Sequence, residues 1–285
     1  AFEIGFDFGV RRSPEPSGRF SRGGATLKWY SPTLGGYGLR LRAGGEGRVI
    51  QRGRPDLDVD RYFFYDLRPN IGVELDIGGS FELEAQLGVQ QRNLLELDLG
   101  ETPEEFTVPS EELRPYVALE GELLLGSLNR RAPFRHEFDF EVEYYFGEQS
   151  LFSALFEYEK AFAIGWDAIF LELSAAFAQI DPAINEERRV SDLLLGVFGD
   201  QLYSATQYGI QAEYRIAFAR DRIAVGPVAN GVIYFNQGPK SAAAAGLGLH
   251  GRVLDNFAVS LYGAVGWTRG LDPNLGFSLG IEQIF

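Results

Sequence analysis

The chain has no cysteine and no methionine, and its 285 residues include two histidines and three tryptophans. Without cysteine there is no disulfide framework, no thiolate metal site and no thiol nucleophile. Basic residues are in deficit: 26 Lys and Arg stand against 40 Asp and Glu, a formal net charge of −14. Nucleic-acid recognition runs on clustered cations, so this balance excludes nucleic acid as a partner. Long apolar runs are missing too. A membrane helix needs about 20 nearly continuous apolar residues, whereas the longest charge-free run, residues 223–239, is broken by Gly226, Pro227, Asn230 and Gly231. The sequence opens on Ala1. A small residue at a new N-terminus is what removal of a secretory signal peptide leaves, so export is the expectation.

Glycine (35 residues) and aromatic side chains (14%) are abundant, and they come with period-two alternation along most of the chain. In residues 134–146, Phe134, Phe138, Phe140, Val142, Tyr144 and Phe146 share one parity, while Arg135, Glu137, Asp139, Glu141 and Glu143 share the other. Successive strand side chains point to opposite faces, so such a segment has an aromatic side and an ionic side. Residues 61–77 repeat the scheme, with Phe63, Tyr65, Leu67, Ile71, Val73 and Leu75 opposite Asp66, Arg68, Glu74 and Asp76.

Turns divide the chain into fourteen expected strands: 1–12, 19–31, 37–50, 61–77, 81–98, 112–126, 133–147, 151–163, 166–180, 193–219, 222–236, 242–254, 256–269 and 274–285. Twelve and sixteen stay open, because 193–219 can be read as one protruding strand or two short ones. Connections alternate between short (78–80, 220–221, 255–256) and long (51–60, 100–111, 181–192). Short turns at one end and long loops at the other mark a membrane barrel. The expectation is a single domain, 1–285, folded as an all-β, antiparallel transmembrane β-barrel. A soluble β-sandwich is the competing architecture, but its strands cluster near five or six residues. Long strands with an aromatic face are accounted for by lipid, and a closed barrel pairs every backbone polar group.

The terminal Phe285, preceded by Ile281, Leu279 and Phe277, resembles the C-terminal signature of Gram-negative outer-membrane β-barrels, with Gln283 departing from it. That resemblance implies a place in the bacterial outer membrane and recognition of Phe285 by the outer-membrane assembly machinery. Gly246-Leu247-Gly248-Leu249 and Gly276-Phe277-Ser278-Leu279-Gly280 are similar to the last strands of outer-membrane insertase and two-partner secretion barrels. Those proteins carry an Arg-Gly-Phe/Tyr motif on a loop folded into the lumen, and Phe198-Gly199-Asp200-Gln201-Leu202-Tyr203 lacks it.

If the aromatic face meets lipid, the ionic face lines the interior. Its acidic wall comprises Glu120, Glu122, Glu137, Asp139, Glu141, Glu143, Glu157 and Glu159, and its basic wall Arg40, Arg42, Arg48 and Arg68. About fourteen strands enclose more space than side chains fill, and opposed charged walls sort small polar solutes. Porins are similar in this respect, and the excess of acid favours cations. The expected role is therefore passive or weakly selective passage of small hydrophilic solutes. The alternative is a closed structural barrel anchoring an envelope complex, its charges paired internally, for example Arg68 with Glu82 and Glu84. An enzyme acting on lipid ranks third.

No metal or cofactor is expected, because alternating carboxylates lie about 7 Å apart along a strand. No enzymatic activity is expected either. His136 falls in the lipid-facing register near the 129–133 turn, His250 in the interior register beside Arg252, and neither lies by an outer-rim serine. Expected partners are the bilayer with its outer-leaflet lipid, the assembly machinery, and a second copy or an envelope complex. The small residues of 242–248 read as a packing face for such a partner or as thinning of the interior wall.

Overall fold

The structure, a computed structural model, describes residues 2–10, 20–35, 38–54, 59–99, 111–128, 133–147, 150–179, 188–190, 193–195, 202–218, 222–235, 238–253 and 257–283. Its strands are β1 (Phe2–Val10), β2 (Phe20–Tyr30), β3 (Leu39–Arg54), β4 (Val59–Ile77), β5 (Phe81–Leu99), β6 (Glu111–Leu128), β7 (Pro133–Tyr145) and β8 (Leu151–Ile164). They continue with β9 (Asp167–Ala178), β10 (Arg188–Arg189), β11 (Tyr203–Ser204), β12 (Thr206–Ala217), β13 (Ile223–Phe235), β14 (Pro239–Val253), β15 (Phe257–Thr268) and β16 (Leu271–Gln283). Fourteen of them form one sheet in chain order, β1 through β9 followed by β12 through β16, while β10 and β11 pair only with each other. No helix among the described residues is long and apolar enough to cross a membrane.

Local chemistry sets the hairpins. Between β4 and β5 the turn uses Gly78 and Gly79, both at φ +67°, a conformation glycine adopts without steric cost. The Gly79 amide donates to the Asp76 carboxylate at 2.9 Å, which ties the turn to the strand end. Long uninterrupted ladders follow, such as β13–β14 from Ile223↔Gly251 to Phe235↔Pro239.

Burial along the strands is inside-out relative to a water-soluble protein. Leu87, Ile71, Leu247, Phe277 and Leu279 are exposed, while Arg42, Asp66, Glu74, Glu84, Arg92 and Glu213 are buried. Along the sheet strands whose burial is described, one face is therefore apolar and open, and the other is polar and covered. That is the distribution of a lipid-facing wall backed by a polar interior.

Two compact units divide the chain. Unit 1 comprises 1–122, 141–154 and 182–186; unit 2 comprises 123–140, 155–181 and 187–285. In unit 1, Val59, Tyr62 and Phe64 form one buried cluster and Tyr116, Ala118, Tyr145 and Leu151 another. In unit 2 the cluster contains Val190, Leu194, Val232, Tyr234, Ala242, Ala244 and Ala264.

Two boundaries differ from expectation. The span 193–219 is not one strand: β12 begins at Thr206, and Leu193–Leu195 form a turn with Leu195 at φ +36°. The leucines leave the sheet because an apolar bed is available to them beside Val190. The expected 51–60 loop shortens, since β3 runs to Arg54 and β4 starts at Val59. Phe285 and residues 198–201 lie outside the described residues.

Candidate functional site: the polar face of the sheet

In unit 1 the polar face is a chain of ion pairs. Arg42 of β3 pairs with Glu84 of β5, both side chains nearly water-free. Arg40 reaches Glu74 at 3.4 Å and Asp76 at 3.6 Å. Arg68 lies 3.3 Å from both Asp66 and Glu143. Arg92 bridges Asp66 at 3.5 Å and Glu112 at 3.3 Å. Gln90 connects the group, accepting from Arg114 at 2.8 Å and donating to Asp66 at 2.9 Å. Aromatic rings cover the guanidinium groups: Arg92 lies 5.3 Å from the Phe64 ring and Arg114 5.0 Å from that of Tyr145. Burying charges costs several kcal/mol per ion unless each is paired and hydrogen-bonded. The alternation of Arg with Asp and Glu on neighbouring strands meets that condition.

The expected basic wall is thus divided among partners. Arg48 pairs with Glu46 along its own strand, and Arg68 takes Asp66 and Glu143 rather than Glu82 and Glu84. Of the expected acidic wall, Glu120 accepts from Gln86 at 2.6 Å, Glu143 also accepts from Tyr145 at 2.9 Å, Glu141 is half-buried on the same face of β7, and Glu122 is exposed. Arg92, Arg114 and Gln90 belong to this network without having been singled out as site residues. Their even-numbered parity on β5 and β6 was the available signal.

In unit 2 acid predominates. The polar face of β7, β8, β9 and β12 carries Glu137, Asp139, Glu157, Glu159, Glu172 and Glu213, against Arg135 and Arg215. Arg135 pairs with Glu159 and lies 3.3 Å from Glu137. Gln211 donates to Glu172 at 3.4 Å. Glu213 is the most connected acid: it takes His250 on one oxygen, with Arg215 at 2.8 Å and the Tyr262 hydroxyl at 3.2 Å on the other.

His250 also contacts Ser260, Nδ1 to Oγ at 2.9 Å. Ser260, His250 and Glu213 thus stand in the order of a nucleophile, a base and an acid. Ser260 is nevertheless a mid-strand residue paired on both sides, to His250 and Gly280. An oxyanion hole needs free donors aimed at the reacting oxygen, and a serine in a ladder of this kind has its backbone engaged. The arrangement is a polar lock between strands.

Val190 and Leu193–Leu195 lie on this same face. Leu193 and Leu194 join a cluster with Val190 over Val232, Tyr234 and Ala242, and the Leu193 carbonyl accepts from Asn230 at 3.0 Å. Leu193 lies within ordinary van der Waals range of Gly209, and it is the Ser174 hydroxyl that a Cβ there would meet. Ser204 secures the base of the segment: its hydroxyl lies 2.7 and 2.8 Å from the Thr206 and Phe235 carbonyls, one of which takes its proton, and it accepts from the Phe235 amide at 3.0 Å. Alternate residues of 242–245 serve this packing. Ala242 and Ala244 are buried beneath the segment, and Ala243 and Ala245 are exposed on the apolar face.

No protein-family model and no curated protein sequence matches the chain. Solved structures do. BamA from Haemophilus ducreyi lacking POTRA domains 1–3 superposes with a TM-score of 0.71 at 8% identity, over 93% of this chain and 62% of that one. CdiB from Acinetobacter baumannii gives 0.60 at 13% identity, over 90% of this chain and 50% of that one. The chain therefore spans between half and about three fifths of the proteins it resembles. At these identities the likeness is one of fold, and the fold is that of an outer-membrane β-barrel.

Proposed function

We propose that a chain with this fold resides in the bacterial outer membrane and passes small hydrophilic solutes along its polar face, cations ahead of anions. One observation carries the reading: the six carboxylates of unit 2 on β7–β9 and β12 face two arginines. A surplus of acidic over basic side chains beside low-dielectric walls raises the local cation concentration. The paired arginines of unit 1 give the wall rigidity rather than selectivity. No covalent step is involved. Partners are bilayer lipid, the assembly machinery through Phe285, and a second copy or an envelope complex.

A second reading has its own support. The buried ion pairs of unit 1 and the docking of Val190 and Leu193–Leu195 are what a closed scaffold barrel requires. Single-channel recording in a planar bilayer with a salt gradient separates the two. Conduction predicts stable steps, a reversal potential of cation sign, and a weaker cation preference in Glu157→Gln/Glu172→Gln. A silent bilayer, with insertion verified by heat-modifiable migration on a gel, overturns conduction and leaves the scaffold.

A further inference from the structure

Consider the apolar face of β6–β9 and β12–β16, leaving aside the first and last residue of each strand. Among the described residues it carries two side chains from the set His, Lys, Arg, Asp and Glu: His136 and Lys160. A charge on a lipid-facing wall is costly toward mid-membrane and cheap near the interface. An ammonium on such a wall, with a hydrogen-bonding imidazole on the next strand, calls for a counterpart.

They occupy adjacent strands, β7 and β8. Tyr158 lies with them, its hydroxyl sharing a hydrogen bond with His136 Nδ1 at 2.8 Å. Lys160 Nζ rests 4.8 Å from the centre of the Phe162 ring, which meets Phe134 edge-on at 5.8 Å. The ammonium is thus oriented by an aromatic surface, and no described carboxylate shares that part of the face.

A groove of about 360 Å³ opens beside this group, lined by Phe138, Phe156, Tyr158, Leu173, Ala175 and Tyr208. Ala175 creates the depression, since it pairs in register with Tyr208 and stands among large rings. Tyr158 belongs to both features. Along β7 and β8, His136 and Lys160 lie nearer the short connections 129–132 and 165–166, and Phe138 and Phe156 lie farther from them. Polar atoms at the rim and an aromatic furrow toward mid-membrane reproduce the order of a lipid, headgroup and then acyl chain.

The geometry points to a binding site for one anionic glycerophospholipid on the outer wall of β7–β9 and β12, its phosphate at Lys160 and its chain in the groove. Anionic rather than zwitterionic lipid fits, because the rim offers an ammonium and a hydrogen-bonding Tyr158–His136 pair, while the acid that lines the groove, Glu157, lies beside Phe156 and farther along β8 from the short connection than Lys160. The inference rests on the apolar face being the lipid-facing one.

Native mass spectrometry of the detergent-solubilised full chain tests it, with phosphatidylglycerol and phosphatidylcholine of equal acyl length as probes. The expected result is preferential retention of phosphatidylglycerol, reduced about fivefold in Lys160→Gln with phosphatidylcholine unchanged. Ala175→Phe fills the furrow and lowers retention of both lipids. Equal retention of the two lipids by the native chain, or no response to Lys160→Gln, overturns the site. Insertion into vesicles is followed separately by heat-modifiable migration. A chain that does not insert overturns the membrane reading itself, whereas an inserted chain with no lipid preference overturns only the site.

Discussion

Glu213 of β12 and His250 of β14 meet on the polar face across β13, over a backbone position, Gly248, that has no side chain to separate them. A Cβ at Gly248 would stand 2.7 Å from Glu213 Oε1 and 2.9 Å from both His250 Nε2 and the Tyr262 ring. Strands β12, β14 and β15 are thus linked by one buried carboxylate whose other oxygen is held by Arg215 and Tyr262.

Gly248→Ala should therefore separate the pair and destabilise the barrel by about 1–3 kcal/mol, the usual cost of forcing volume into a packed site. Glu213→Ala should cost more, about 3–5 kcal/mol, because it removes the buried acceptor that Arg215, His250 and Tyr262 share. Glu213→Gln keeps acceptor geometry and should fall between native and Glu213→Ala. Urea midpoints read by loss of heat-modifiable migration check the order; a Gly248→Ala midpoint equal to native would show that the lock carries no strain.

In unit 1 the Arg42–Glu84 pair allows a sharper contrast. Arg42→Ala leaves Glu84 charged and buried, with an expected loss of about 3–5 kcal/mol. Replacing both, Arg42→Met with Glu84→Leu, removes the uncompensated charge and should recover most of that loss, since apolar replacement of a buried pair is often neutral. A double variant as unstable as Arg42→Ala alone would mean that the pair is needed for packing shape rather than charge balance. Conductance should be unchanged in the double variant if this wall is structural.

The sheet was legible because period-two alternation survives over many residues: β5 runs 81–99 against an expected 81–98. Parity also told which side chains share a face. It could not tell which of them touch. Arg68 meets Glu143, 75 positions away, and Glu213 reaches His250 across an intervening strand; neither follows without the register of the whole sheet. The run Leu193–Leu195 reads as strand because leucines fit strands. Its departure was decided elsewhere, by the small side chains Ala242 and Ala244 that leave room for it and by the Asn230 amide that holds the Leu193 carbonyl.

Selectivity should follow the acidic surplus of unit 2 rather than the paired acids of unit 1. Glu157→Gln/Glu172→Gln should move the reversal potential toward zero, while Glu84→Gln should leave it in place and act on stability instead. Because electrostatic accumulation is screened over about 10 Å at 0.1 M salt, the difference between native and double variant should shrink at 1 M. A salt-independent difference would point to a steric effect of the substitutions.

The docked segment gives the final contrast, between gating and simple filling. Leu194 is fully buried in a cluster with Val190, Ala242 and Ala244, so Leu194→Asp places a charge in an apolar bed and should release the segment. Asn230→Ala removes only the hydrogen bond to the Leu193 carbonyl, about 0.5–1.5 kcal/mol net, and should loosen it without releasing it. Limited proteolysis in vesicles ought then to cut within 188–205 in Leu194→Asp, weakly in Asn230→Ala, and not in the native chain. If the segment obstructs passage, the conductance step should rise in the same order. Increased cleavage with an unchanged step would show that the segment braces the wall without narrowing the path.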